Sequence, residues 1–192
     1  MNIVERAKNI LLTPKTEWPV IDTESSSIKS IYTEYLVLLA AIPAIAGFIG
    51  TSLIGYSMFG VAVRVPLAAG IATLILGYAL SLVMVYVIAL IADALAPSFQ
   101  GEKNLFNAFK LIAFSMTPGF LGGIFSLLPT LAVLGLLASL YGIYLLYLGV
   151  PTLIKVPQDK AMPYTVVLVI CAIVASVISG AIVAAVSSVG VH

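Results

Sequence analysis

Charged side chains are scarce in this sequence. Charged residues make up 9% of the chain and hydrophobic residues 61%, whereas a soluble domain has about 25% charged and about 45–50% apolar residues. The chain therefore has too few charges to cover a surface in contact with water, and we expect it to be surrounded by a lipid bilayer. The formal net charge of +1, without a cluster of Lys or Arg, argues against nucleic acid as a partner.

Cysteine and histidine each occur once, as Cys171 and His192. A single cysteine cannot form a disulfide within the chain, and its apolar neighbours are typical of a small buried side chain. A single histidine at the end of the sequence offers almost nothing for a metal site or a catalytic triad. No phosphate-binding glycine loop or activated nucleophile appears either. We predict a non-enzyme with no catalytic residue, no metal and no cofactor.

Long apolar runs are abundant. Crossing about 30 Å of hydrocarbon takes about 20 apolar residues in a helix. Five runs are long enough and have no charge in their central parts, and they cover residues 35–59, 65–92, 108–128, 131–150 and 164–189. They are longer than β-barrel strands and do not alternate as such strands do. We predict an all-α integral membrane protein with five transmembrane helices, which form a membrane domain at residues 34–192.

Turn-forming residues separate these runs. Gly60 and Arg64 lie between the first two, with Pro66 at the start of the second. A polar loop at 97–104 follows the second, and Pro129 alone divides the third from the fourth. Because proline lacks the N–H that would continue a helix, we predict a tight hairpin at Pro129. A single helix through that position would be too long for one crossing.

The distribution of basic residues indicates the orientation. Eight of the nine Lys and Arg residues fall in segments that five spans place on one side of the membrane, and Arg64 alone falls on the other. Cytoplasmic loops carry the excess of Lys and Arg. The bias predicts a multi-pass protein of the plasma (inner) membrane with its N-terminus in the cytoplasm and its C-terminus outside.

The predicted cytoplasmic segment, residues 1–33, has its own pattern. Ile3, Ala7 and Ile10 recur at helical spacing among charged residues, which predicts a short amphipathic helix on the membrane surface. Trp18 suits an anchor at the membrane interface. A partly disordered tail is the alternative interpretation. No cleavable signal peptide is visible, so we expect the first span to be retained.

Two motifs resemble a known family. The segment LLTPKTEWPVI at 11–21 precedes the first span, and AFSMTP at 113–118 is similar to the family's aromatic-Ser-x-x-Pro pattern, with Phe114 where Tyr is usual. With the five-span plan, these motifs resemble the YIP domain family, the Ypt/Rab-interacting membrane proteins, in its bacterial branch. The resemblance implies a membrane protein without a settled activity. The long tail and the Asp-Leu-x-Gly-Pro motif of the eukaryotic branch are missing, so Rab GTPase binding does not carry over.

The third run contains a helix breaker, Pro118, whose ring opposes the carbonyl of Phe114. Together with Gly119 it predicts a kink or local unwinding within one turn, with the hydroxyls of Ser115 and Thr117 as the nearest partners for freed carbonyls. The break is either a packing kink or a transporter-like discontinuous helix that opens a polar cavity. Because no ionisable residue accompanies it in the sequence, we expect a kink sealed by neighbouring side chains.

Two carboxylates stand at predicted cytoplasmic ends of spans. Asp93 ends the second span in apolar company, and a buried carboxylate is costly unless it is paired. We expect an interfacial charge pair with Lys103, Lys110 or Lys155, and a proton or cation site is the alternative. Glu34, before the first span, has the same ambiguity and could share a site with Asp93.

Tyrosines recur every three residues in the fourth span, at Tyr141, Tyr144 and Tyr147. This spacing keeps them near one face of a helix. It favours an interfacial belt with buried hydroxyls, and an aromatic-lined cavity is the alternative.

Small residues recur every four positions in the fifth span. Such a stripe lets helix backbones approach closely, and we predict a packing face, either within the chain or between chains. The stripe consists of Ala172, Ser176, Gly180, Ala184 and Ser188.

The sequence is compatible with two function classes. The first is a non-enzymatic membrane scaffold or interaction protein that uses its cytoplasmic face and the small-residue stripe, with the lipid bilayer and a second copy or another membrane protein as partners. The second is a small-solute or ion transporter or channel that uses the broken third span. The family resemblance favours the first class.

Overall fold

The protein is a bundle of long helices. The computed structural model describes residues 2–58 and 61–189; the predicted end at Phe59, the break at Gly60 and His192 lie outside them. Within the described residues, five helices are long and apolar enough to cross a membrane, which confirms the predicted fold class. We call them the first to fifth spans, and their bounds are Ile28–Ile54, Leu67–Phe99, Leu105–Leu127, Ala132–Leu153 and Gln158–Ala185.

Two short helices precede the first span, α1 (Ile3–Leu12) and α2 (Pro14–Thr23). The side chain of Asn2 caps α1 by accepting from the N–H of Val4 at 3.1 Å, and a proline at the first position of a helix suits α2. Ala7 and Ile10 are buried, which confirms the predicted amphipathic segment. We call α1 and α2 together the N-terminal hairpin.

The N-terminal hairpin packs alongside the third and fourth spans. The Tyr141 hydroxyl donates to the carbonyl of Leu11 at 2.7 Å, and a Cβ placed on Gly149 would lie 2.8 Å from Trp18. Tyr141 precedes the end of the fourth span by about 18 Å of helix. The hairpin therefore reaches well along the bundle and does not lie flat on its surface. Trp18 is 1% exposed, so it is a packing residue and the predicted interfacial anchor is wrong.

The first span is irregular. Its α-helical parts, Ile28–Ile31 and Val37–Phe48, alternate with π-helical turns at Tyr32–Leu36 and Ile49–Ile54. A π turn inserts an extra residue and changes the directions of the side chains around it, and the first of these turns carries the buried Tyr35. Gly55, with φ of +81°, ends the span in a conformation that favours glycine.

A short β-hairpin and a regular helix follow. Strands β1 (Tyr56–Met58) and β2 (Val61–Val63) pair antiparallel, with Tyr56 opposite Val63. The second span is α-helical over Leu67–Leu95 and ends in a 3₁₀ turn at Ala96–Phe99. The sequence predicted that the first span would continue through the residues of β1, and it predicted a break between spans where β2 lies.

The third span is broken where the sequence predicted. Its α-helix Leu105–Ser115 stops, Met116 intervenes, and a helix resumes at Thr117–Gly122 and continues as a 3₁₀ turn over Gly123–Leu127. The break at Pro118 is thereby confirmed. A 3₁₀ turn at Pro129–Leu131 then separates this span from the fourth, as predicted. The last two helices are Ala132–Leu153 and Gln158–Val189.

The third span is also the centre of the core. In the most apolar 18-residue stretch of the third span, 67% of the residues are buried, whereas the corresponding share for the fifth span is 11%. Close packing on one side of the break depends on Gly122, because a Cβ there would collide with Ala138 of the fourth span and lie 3.6 Å from the Cα of Gly135. The first, second and fourth spans and the N-terminal hairpin pack against the broken helix, and the fifth span packs mainly on the second.

Candidate functional site: buried charges and a cavity beside the broken third span

The N-terminal hairpin carries buried charges into the bundle. The Arg6 guanidinium pairs with the carboxylates of Glu17 and Glu24. The side chains of Arg6 and Glu17 are 8% and 9% exposed, and that of Glu24 is 34% exposed. The guanidinium also lies over the ring of Phe114, 5.6 Å from its centroid, a favourable cation–π arrangement. These contacts join α1 and α2 to the third span just before its break.

A buried lysine fixes the end of α2. Lys110 Nζ donates to the carbonyls of Ile21 at 2.8 Å and Glu24 at 2.9 Å. These carbonyls lie at the C-terminal end of α2, where a cation is favoured by the helix dipole and by carbonyls that lack helical partners. Lys110 is 2% exposed and lies 4.5 Å from the Phe106 ring centroid. The third span therefore holds the hairpin through a charge as well as by packing.

A second, more exposed contact ties α2 to the fourth span. Lys155 Nζ, just beyond the fourth span, lies 2.7 Å from the carboxylate of Asp22. Asn107 Nδ2 of the third span donates to the same carboxylate at 3.4 Å and to the carbonyl of Leu153 in the fourth span at 3.2 Å. Because Lys155 is 43% exposed, this pair contributes less than the buried ones.

The break itself is partly satisfied by hydroxyls. Thr117 Oγ1 donates to the carbonyl of Phe114 at 2.7 Å, as predicted for a freed carbonyl. Since its one proton is used there, Thr117 accepts from the Tyr35 hydroxyl, 2.7 Å away. Ser115, the other predicted partner, is 5% exposed, and its Oγ has no partner among the described residues. The prediction that the Ser115 hydroxyl would bond a freed carbonyl is therefore wrong.

Phe114 links the charges to the break. Its ring contacts both Arg6 and Tyr35, the latter at 5.1 Å between centroids. The sequence around Pro118 shows no ionisable residue at the break, because Arg6 belongs to α1 and is distant from the third span in the sequence. The apolar stripe through Ala7 and Ile10 was a signal that α1 needs a surface to cover its apolar face, but it did not identify that surface.

Asp93 is buried without a cation. It is 8% exposed, and within the described part of the chain it forms no ion pair and its Oδ1 has no hydrogen bond. Lys110 and Lys155 bind α2 instead. The predicted interfacial charge pair is therefore wrong. Glu34 is exposed, and a site shared with Asp93 stays a prediction.

The three tyrosines of the fourth span have different surroundings. The hydroxyl of Tyr141 binds α1, that of Tyr147 accepts from Gln158 Nε2 at 3.2 Å, and Tyr144 is 44% exposed. The rings of Tyr141 and Tyr144 lie 5.7 Å apart. Tyr141 is thus a contact of the N-terminal hairpin.

Ala172, the first residue of the small-residue stripe, is partly buried against the core, whereas the stripe continues on the exposed side of the fifth span. Ser176, Gly180 and Ala184 are exposed, and a Cβ on Gly180 would have nothing within 4 Å. The buried face of this helix runs instead through Tyr164 and Leu168. Packing of the stripe within the chain is not observed for these residues. The side chain of Ser188 lies outside the described part, and the role of the stripe between chains stays a prediction.

A cavity of about 450 Å³ adjoins the other side of the break. Ser115 and Gly119 of the third span line it, with Gly142 of the fourth span opposite, and most of the lining is apolar. We expected neighbouring side chains to seal the kink. They do so at Gly122, but on this side of the break a cavity remains. Asp93 is not among the lining residues.

Comparison with known proteins identifies relatives. The family model described as the Yip1 domain matches residues 8–179. The inner membrane protein YohC of Escherichia coli strain K12 is 31% identical over 156 residues, which cover 79% of this chain and 80% of the relative. YohC of Escherichia coli O6:H1 matches equally. No solved structure matches.

Proposed function

The chain belongs to the Yip1 domain family of membrane proteins, and on that premise we propose that it is a non-enzymatic scaffold that binds other membrane proteins or a second copy of itself. Its relative is named an inner membrane protein. We place this chain likewise in the plasma (inner) membrane, with the N-terminus in the cytoplasm, because of the bias in its basic residues.

The exposed stripe on the fifth span is the observation that carries this proposal. Ser176, Gly180 and Ala184 are exposed on the least enclosed of the five spans. Small residues let two helix backbones approach closely within a bilayer. The exposed part of the stripe, from Ser176 to Ala184, is available for a helix of a partner.

The buried charges support a fixed platform. Arg6 is neutralised by two carboxylates, and Lys110 by the carbonyl end of α2. Charges matched in this way hold the N-terminal hairpin in one position, since separating them leaves each one buried and unpaired. The surface that the hairpin presents is therefore preorganised for binding.

Transport is the second candidate, favoured by the position of Arg6 and Glu17 beside the broken span. Ionisable residues at such depth often mark ion or proton pathways. However, these two side chains bind each other, and the residues that line the adjoining cavity carry no charge. A scaffold accounts for both observations more simply.

Cross-linking in native membranes tests the scaffold. In a Cys171→Ser background, Gly180→Cys is compared with Ile178→Cys, which is 53% exposed and lies about 160° away around the same helix. We expect a homobifunctional thiol reagent to give dimers, or adducts to another membrane protein, from position 180. Adding Ala184→Leu should reduce their yield several-fold. Equal yields from both positions would refute the proposed interface.

A further inference from the structure

The cavity beside the break opens toward lipid. Ser139 and Ile143 of the fourth span and Ile173 of the fifth span line it and are exposed, whereas Ile112 and Ser115 line it and are buried. The exposed residues form a mouth between two spans, and the buried ones form a floor next to the break. A molecule that enters this way comes from the bilayer.

The floor carries an unpaired hydroxyl. A serine inside a helix commonly bonds a carbonyl of the preceding turn, but Ser115 Oγ has no partner among the described residues and the side chain is 5% exposed. The nearby Thr117 hydroxyl, by contrast, already donates to the carbonyl of Phe114 and accepts from the Tyr35 hydroxyl. A buried hydroxyl without a partner is unfavourable, so the floor favours a ligand with a hydrogen-bonding oxygen.

The lining also selects against charge. None of its residues is Asp, Glu, Lys, Arg or His, and a charged group placed there would lose its hydration without compensation. The volume of about 450 Å³ falls within the range of about 300–1,000 Å³ typical of small-molecule sites, which are mostly apolar with a few placed polar groups.

We propose that this cavity binds an uncharged lipid that enters head first. A carbonyl or hydroxyl oxygen of the head bonds to Ser115 Oγ, and the apolar tail leaves past Ser139 and Ile173 into the bilayer. Isoprenoid quinones and diacylglycerols share this chemistry. Phospholipids do not, because their heads carry charge.

Photolabelling of the full chain in phosphatidylcholine nanodiscs tests the proposal. A photoreactive diacylglycerol should label peptides that contain Ser115 or Ile143, and photoreactive phosphatidylcholine should not. Ser115→Ala should weaken labelling about tenfold, the effect of one lost hydrogen bond to a buried group. Ser139→Phe should block the mouth, while Leu137→Phe, 55% exposed on the opposite side of the same helix, should leave labelling unchanged.

Competition identifies the source of the ligand. Displacement by a ubiquinone with a short tail points to quinones, and displacement by unlabelled diacylglycerol alone points to glycerides. Size-exclusion elution checks that each variant is folded. If Ser139→Phe aggregates, the test of the proposal is Ser115→Ala, which removes only one oxygen. Equal labelling by phosphatidylcholine, or labelling indifferent to Ser115→Ala, would overturn the proposal.

Discussion

At the scale of single residues, the buried pair of Arg6 and Glu17 is a sensitive contact. Removing one partner of a buried pair costs up to about 3–5 kcal/mol, and Glu17→Leu leaves the buried Arg6 with only Glu24, whose side chain is 34% exposed. We expect Glu17→Leu to release the N-terminal hairpin from the bundle. Hydrogen exchange of the α1 amides in nanodiscs should then approach that of an exposed segment.

Two controls accompany this variant. Glu24→Leu should have a smaller effect, since that side chain is 34% exposed and water can compensate for its loss. The double variant Arg6→Leu with Glu17→Leu should recover most of the protection, because no buried charge is left unpaired. Unchanged exchange in Glu17→Leu alone would contradict the proposed role of the pair.

Removing the charge of Asp93, in contrast to that of Glu17, should not destabilise the protein. A buried carboxylate without a cation is unfavourable, and asparagine has nearly the same shape without the charge. Asp93→Asn should therefore leave the thermal unfolding midpoint unchanged or raise it. Asp22→Asn, which weakens the pair with Lys155, should lower it slightly. Loss of folded protein in Asp93→Asn would contradict this expectation and show that the carboxylate stabilises the fold.

At the scale of elements, the contact of the third and fourth spans depends on Gly122. Gly122→Ala places a Cβ against Ala138, and overpacking of this kind costs about 1–3 kcal/mol. We expect a lower unfolding midpoint in detergent. Gly180→Ala, which meets nothing within 4 Å, is the matched control. Equal midpoints for the two variants would mean that the spans can move apart freely.

Elements governed by local chemistry were predictable. The spans follow from the length of apolar runs, and the break in the third span follows from the ring and missing N–H of Pro118. The turn at Pro129 has the same cause. In each case the relevant atoms are neighbours in the sequence, so no knowledge of the packed bundle was needed.

Features that depend on distant contacts were missed. The π turn that carries Tyr35 is stabilised by a contact with Thr117, 82 positions away. The partners of Lys110 are main-chain carbonyls of α2, and a carbonyl has no side-chain signature in a sequence. The cavity next to Ser115 is likewise a property of how five spans pack, which periodicity does not report.

At the scale of the whole molecule, the bias of basic residues predicts the topology. In a Cys171→Ser background, Ser187→Cys should react with a membrane-impermeant maleimide added to intact cells, because the bias predicts that the C-terminus lies outside. Lys8→Cys should react only after the cells are permeabilised. Reaction of both positions from the same side would require an even number of spans.

The position of the N-terminal hairpin also sets an order of events during synthesis. Arg6 and Trp18 leave the ribosome first, yet their contacts Phe114 and Gly149 belong to the third and fourth spans. At about 5–20 residues per second, the interval is on the order of ten seconds. The hairpin therefore remains undocked while the first four spans are made, and its seating is a late step that follows synthesis of the fourth span.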